Sequence, residues 1–417
     1  MNSIMLIIFG LIVVSFNSNA MTIEEAIKSG IDYNLNIKMS ETEKEISHYK
    51  VEESYASYWP QVTLTGKSRT SDHRYSDEYV RDDDESAMLN FGAQYTILDL
   101  ARYEQVNAAK SALDVQTWGY KIDKEKLTFQ IIKAYIDVWR KKRTLEIGKE
   151  YLNQVTGLTE KVKLRVEGGL SPSSDLVRSE ASVDDAKTRL ENAEKDFVNA
   201  KINLSSLIGR NDDISTMFNE NSHPVVPKFI SNNELEHINL LLKQLDSDIQ
   251  QKQYEYQFTR KSDYPKVQFL ANYKQRNQSV DSPDLQFYIQ VTVPIFTGFM
   301  STNKINEAAA DVRLSNYKRE SALRDLNKNY NSTKSSIEKE VSIWELNNNA
   351  IINSRRTLEL YQNEFNLGSR PLSDIIDAQR ELQVSLIDMV DAKANFYDYV
   401  AAAYNLCGDT DKFIKFI

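Results

Sequence analysis

The sequence predicts an α+β membrane protein in which a duplicated helix-strand-strand-helix unit supplies long coiled-coil helices and four strands per chain to a β-barrel shared between copies. Three observations lead there. The chain is written twice, the apolar period changes within each copy from two residues to three and four, and breakers are rare. Only 13 Gly and 8 Pro occur in 417 residues, so long uninterrupted elements are expected.

The apolar run Ile4 to Phe16 is followed by Asn17, Ser18, Asn19 and Ala20, small residues where a signal peptidase reads, so residues 1–20 are expected to be a cleaved signal peptide. No Lys or Arg precedes the run, and a buried or anchoring helix is the alternative. No later segment approaches the ~20 apolar residues of a spanning helix, so a mature chain that meets a membrane must do so with strands. The single cysteine, Cys407, excludes an internal disulfide. A net charge of -9 argues against a nucleic-acid partner, which needs a basic surface.

The repeat is read from two elements. Gly169-Leu170-Ser171-Pro172-Ser173-Ser174-Asp175 and Gly368-Ser369-Arg370-Pro371-Leu372-Ser373-Asp374 share G-x-x-P-x-S-D, and both run without a gap to a glycine, Gly209 and Gly408, at a constant separation of 199 residues. Upstream, Tyr58-Trp59-Pro60-Gln61-Val62 matches Asp263-Tyr264-Pro265-Lys266-Val267 at 205. The expected organisation is a first repeat over 21–209, a linker over 210–232 with Pro224 and Pro227, a second repeat over 233–408 and a tail over 409–417.

Strands are expected at about 61–70, 87–98, 266–275 and 285–296, one hairpin per repeat. Leu89, Phe91, Ala93, Tyr95 and Ile97 alternate with Asn90, Gly92, Gln94 and Thr96, and Leu285, Phe287, Ile289, Val291 and Val293 alternate with Gln286, Tyr288, Gln290 and Thr292. The acidic stretch within Thr70 to Ser86 reads as a solvated loop. Tyr95, Tyr273 and Tyr288 are candidates for an interfacial belt or for ordinary strand packing.

Helices are expected over about Ile23 to Tyr58 and Asn233 to Ser262 before each hairpin, and over Ala101 to Glu167 and Ser301 to Leu367 after it. In the long pair, Phe129, Ile132, Ile136 and Trp139, and later Tyr330, Ile337, Val341, Trp344, Ile351, Leu358, Tyr361 and Phe365, recur as a coiled-coil seam. The G-x-x-P elements then read as helix-to-helix turns, with Gly169 and Gly368 in the left-handed conformation and Pro172 and Pro371 in the first turn of the return helices.

Four strands with one apolar face and no apolar helix to cover them point to lipid on that face. Four cannot close a barrel, and an open edge in lipid leaves unpaired amides and carbonyls, so two or three copies must complete it together.

These features together resemble the TolC outer-membrane efflux proteins over nearly the whole mature chain: the duplicated order, the aromatic-Pro pair before each first strand (Trp59-Pro60 and Tyr264-Pro265), Val293-Pro294-Ile295-Phe296-Thr297-Gly298 after the last, and both turns. The resemblance implies a homotrimer with a trimeric transmembrane β-barrel in the outer membrane and a long α-helical tunnel extending into the periplasm. It implies a passive exit duct of a tripartite efflux pump or type I secretion system, partnered by a periplasmic adaptor and an inner-membrane pump of RND, ABC or MFS type. A periplasmic coiled-coil adaptor is the second reading.

The resemblance also implies three groups of site residues: an aperture ring of Asp374 and Asp377, a tip latch between Asp175 and Arg370, and adaptor-docking turns at Gly169, Leu170, Ser171, Pro172, Gly368, Ser369 and Pro371. Phe365 stands where the family's latch has a tyrosine, which removes one hydrogen bond from it. Asp374 and Asp377 fall three residues apart on one helix face, whereas the first repeat has Asp175 and Arg178. His48, His73, His223 and His237 lack ligand spacing, so no metal, cofactor or catalytic site is expected.

Overall fold

A computed structural model describes residues 21–68, 87–211, 224–276 and 284–416. The signal segment, the acidic loop and part of the linker lie outside the described residues. The elements run α1 (Ile23–Tyr33), α2 (Leu35–Ala56), β1 (Gln61–Ser68), β2 (Ala87–Leu98), α3 (Arg102–Glu167), α4 (Ser173–Ile208), α5 (Asn232–Ile238), α6 (Leu240–Lys261), β3 (Lys266–Arg276), β4 (Asp284–Thr292), α7 (Met300–Asn366), α8 (Leu372–Leu406) and α9 (Asp411–Phe416).

Two expectations are corrected. Each helix before a hairpin is two helices, because Asn34 and Asn239 are extended at the junction and close the first helix as caps. The Asn239 side chain then accepts from the Leu242 amide at 3.1 Å and starts the next. Pro172 and Pro371 are N-caps with extended backbones rather than first-turn residues. The tail is a short helix whose Phe413 is fully buried.

The chain folds as two compact units that cut across the repeats, each taking sequence from both copies. The sheet unit comprises Leu35–Lys124 and Ile230–Asn329. Its four strands are antiparallel in the order β1-β2-β3-β4, so among the described residues β1 and β4 each keep one unpaired edge. Register decides the faces: Leu64 lies opposite Phe91, Phe91 opposite Tyr273 and Tyr273 opposite Leu285, while Thr65, Asn90 and Lys274 share the other side. One face is therefore apolar across all four strands, and it is open, with Val62 at 73% and Phe287 at 62% exposure. Tyr95 and Tyr273 belong to it. Tyr288 does not: it lies on the polar face, where its hydroxyl accepts from Asn272 at 3.2 Å.

The helices of this unit follow the strand order. The first pair, α2 and α3, is joined by Ser40 to Asp123 and by Lys44 over the Tyr120 ring. Next, α3 meets α6 through the Gln244 amide on the Val115 carbonyl at 3.3 Å, Lys243 over Trp118 at 5.2 Å, and Lys261 on Glu104. Then α6 meets α7 through Ser315 on Asp248 at 2.8 Å and Arg319 on Asp246, and α5 meets α7 through Arg319 on Glu236 at 3.0 Å. The order α2, α3, α6, α7 leaves α2 and α7 as the flanks.

The helical unit comprises Met1–Asn34, Glu125–Phe229 and Tyr330–Ile417. Its core holds the expected seam residues Ile132, Ile136, Trp139, Ile337 and Trp344, and adds Tyr135, whose hydroxyl donates to the Met21 carbonyl at 2.9 Å. Gly30 lets α1 lie close over Ile131, and Ser29 donates to the Ile208 carbonyl at 2.9 Å. Glu125 accepts from the amide and hydroxyl of the buried Thr410 and ties the last helix down.

Within this core Arg140 pairs with Asp398 at 3.0 Å. Burial pushes the Asp398 carboxyl up to about 6, aided by Asp137 and opposed by Arg140 and Lys133. Between about pH 4 and pH 6 the folded chain thus holds a proton that the unfolded chain has released, so this group's stabilisation is present at acid pH and lost as pH rises through 6. Melting curves should show the Asp398→Asn variant losing less stability than the parent between pH 5 and pH 7, by on the order of 1 kcal/mol per chain. Parallel curves would place the shift elsewhere.

Candidate functional site

The candidate site is the pair of helix-to-helix turns in the helical unit. Both end a long helix in the same way: Leu170 N–H bonds to the Arg165 carbonyl at 2.7 Å and Ser369 N–H to the Glu364 carbonyl at 3.0 Å, around Gly169 at φ 71° and Gly368 at φ 78°. A Cβ at either glycine would meet nothing within 4 Å, so backbone conformation rather than crowding requires them. The turns present their side chains to solvent, with Leu170 at 72% and Leu367 at 84% exposure.

Behind the turns sits an apolar cluster of Leu158, Val162, Leu358, Phe365, Leu372, Ile375 and Ile376. It joins the α3–α4 hairpin to the α7–α8 hairpin. Phe365 is buried at its centre, and the Arg165 guanidinium stacks on its ring at 4.7 Å while donating to Ser171 at 3.4 Å. A tyrosine hydroxyl at Phe365 would have to find a partner inside this cluster. Higher up, Arg380 of α8 reaches Asp185 of α4 at 3.5 Å and links the hairpins a second time.

Arg370 is already engaged within its own chain. It pairs with Glu364 at 2.7 Å and Asp374 at 3.1 Å and stacks on the Tyr361 ring at 4.1 Å. Asp175 is half-exposed on the other hairpin, and no side-chain partner meets it among the described residues. One chain therefore does not bring Arg370 and Asp175 together. Of the two ring residues, Asp374 accepts from Arg370 and from Ser373 at 3.2 Å, whereas Asp377 is exposed, without such a partner among the described residues.

Sequence reasoning missed Glu364, Tyr361 and Arg165. The repeat offset carried a signal for two of them: Arg165 and Glu364 are 199 residues apart and so occupy equivalent places with opposite charge. Each then engages the residue six positions on, Ser171 or Arg370.

The family model for outer membrane efflux proteins matches residues 27–210 and 233–409, one stretch for each repeat. The chain belongs to the outer membrane efflux protein family. Its place is the outer membrane and its business is efflux. Among curated relatives, outer membrane protein TolC of Vibrio cholerae is 22% identical over 376 residues, 85% of this chain and 83% of the relative. Among solved structures, CusC aligns with TM-score 0.84 at 12% identity, covering 93% of this chain and 92% of that one. The outer membrane protein VceC from Vibrio cholerae aligns with TM-score 0.80 at 14% identity, covering 93% and 96%. Family membership also disposes of the adaptor reading. No helix among the described residues is long and apolar enough to cross a membrane.

Proposed function

We infer that three copies of this chain form a passive duct through the outer membrane, the exit of a tripartite export machine completed by a periplasmic adaptor and an inner-membrane pump. The observation that carries this is the sheet: one apolar face exposed across four strands, with β1 and β4 unpaired at its ends. In lipid each unpaired backbone group costs several kcal/mol, so the edges must meet those of other copies. Three chains give a twelve-strand barrel, wide enough to leave a water-filled lumen. The face opposite the lipid carries Gln94, Gln268, Asn272 and Gln290, a wettable lining.

At the helical end, the exposed turns of Gly169 to Pro172 and Gly368 to Pro371 are the docking surface for the adaptor, and Asp374 with Asp377 rings the aperture. The latch between Asp175 and Arg370 requires Arg370 to leave Glu364 and Asp374, which makes it a weak lock. The stack of Arg165 on the buried Phe365 ties α3 to α7 without it.

The test is fractionation and crosslinking of cells expressing the chain, with export scored in a strain lacking its own duct. The expected result is a trimer in the outer-membrane fraction that restores export. Ladders ending at dimer, or a soluble periplasmic monomer, would overturn the reading.

A further inference from the structure

The stripe by which α8 packs into the helical unit is interrupted. Leu372, Ile376, Gln379, Gln383, Leu386 and Val390 recur at steps of four and three residues, the spacing of a coiled-coil seam. Leu372 and Ile376 belong to the apolar cluster behind the turns, and Leu386 packs against it. Gln379 and Gln383 stand in the middle of the stripe and are buried as deeply, at 3% and 5% exposure. The side-chain oxygen of each is buried without a hydrogen-bond donor among the described residues. An aliphatic side chain of the same length would pack there without leaving an acceptor unmet, so the two amides weaken the covered arrangement.

The repeat shows how this layer differs from its surroundings. At the offset of 199 residues the equivalents of Gln379, Gln383, Leu386 and Val390 are Glu180, Asp184, Lys187 and Glu191 of α4, all exposed. The face that α4 gives to water is therefore the face that α8 turns inward. At Leu386 and Val390 the second repeat has an aliphatic side chain in place of a charge. At Gln379 and Gln383 it drops the charge and keeps the polarity. A carboxylate is far more costly to bury than an amide, and an aliphatic side chain is costly to uncover. A neutral amide is the compromise for a face that is dry in one arrangement and wet in another.

We propose that Gln379 and Gln383 are positioning residues for opening: α8 is covered at this level in the arrangement of this structure and is wetted when the aperture end widens to pass cargo, the two amides lowering the cost of uncovering it. Arg380, the next residue to Gln379, is exposed, and its contact with Asp185 at 3.5 Å is already reached by water, so it restrains the parting only weakly. This rests on the duct reading above.

The test compares two double variants of the full chain in outer membranes. Gln379→Met with Gln383→Met keeps the side-chain length and removes the amides, while Gln379→Asn with Gln383→Asn keeps the amides. The measurements are trimer yield, the melting temperature of the trimer, export, and the fraction of time that single channels conduct in planar bilayers. The methionine pair should assemble as well as the wild type and melt higher, yet conduct and export at least about tenfold less, the effect expected of relieving one or more unmet buried acceptors. The asparagine pair should export within about twofold of the wild type. A methionine pair that melts higher but conducts and exports like the wild type would overturn the proposal, because the amides would then be only tolerated in the seam. One that melts lower would overturn it as well, because the amides would then hold the covered arrangement together, and so would an asparagine pair as impaired as the methionine pair. A wild-type chain that neither forms a trimer nor exports would overturn the duct reading first and this proposal with it.

Discussion

A trivalent cation added on the periplasmic side of a planar bilayer should block single channels of this protein, and the double variant Asp374→Ala with Asp377→Ala should raise the half-blocking concentration at least tenfold. In the proposed trimer three copies would place six carboxylates around a narrow axis, and crowded like charges bind multivalent cations strongly enough to stop flow. The two positions are unequal, however. Asp374 shares its charge with Arg370 at 3.1 Å, whereas Asp377 is exposed and unshared among the described residues. Asp377→Ala alone should therefore remove most of the block, and Arg370→Ser should tighten it by releasing Asp374. Currents that ignore the cation, or a block unchanged in the double variant, would remove the ring from the mechanism.

Replacing both turn glycines by valine should reduce export to background while the trimer still assembles. At φ 71° and 78° a β-branched residue is strained by roughly 1–2 kcal/mol, and each turn must reshape or unwind its helix end. The hairpins themselves rest on the cluster around Phe365 and on Arg380 with Asp185, which these changes do not touch. Asparagine, which tolerates the left-handed region, should preserve export at both positions. Full export by the valine variants would mean the turns only punctuate helices and that the adaptor docks elsewhere.

The strands were legible because lipid demands a period of two with no exceptions on one face, and Leu285 to Val291 obey it; β2 and β3 pair in one apolar register through Phe91 and Tyr273. The long helices were legible because nothing interrupts them. The breaks at Asn34 and Asn239 were not, since an asparagine inside a helical pattern costs little by propensity and only its cap geometry reveals the junction. The alternation already set Tyr288 beside Gln286 and Gln290, but whether it joins a belt or packs within the sheet was not legible; register put its hydroxyl beside Asn272. At the tip, the turns and Asp374 could be read from their repeat. The engagement of Arg370 by Glu364 and Tyr361 could not, because it depends on how the end of α7 curls over its own return helix.

The interleaving of the two repeats sets the order in which this chain can mature. Phe91 waits for Tyr273, and Ser29 of α1 waits for Ile208, so the earliest segments to emerge find their partners only after some 180 further residues have followed. Neither repeat is a foldable half, for the sheet unit needs Ile230–Asn329 and the helical unit needs Tyr330–Ile417. High sequence separation of this kind makes folding slow and leaves apolar strands uncovered in the meantime. A newly made chain therefore has to be kept apart from its siblings until its last helices arrive, and only afterwards joined to them.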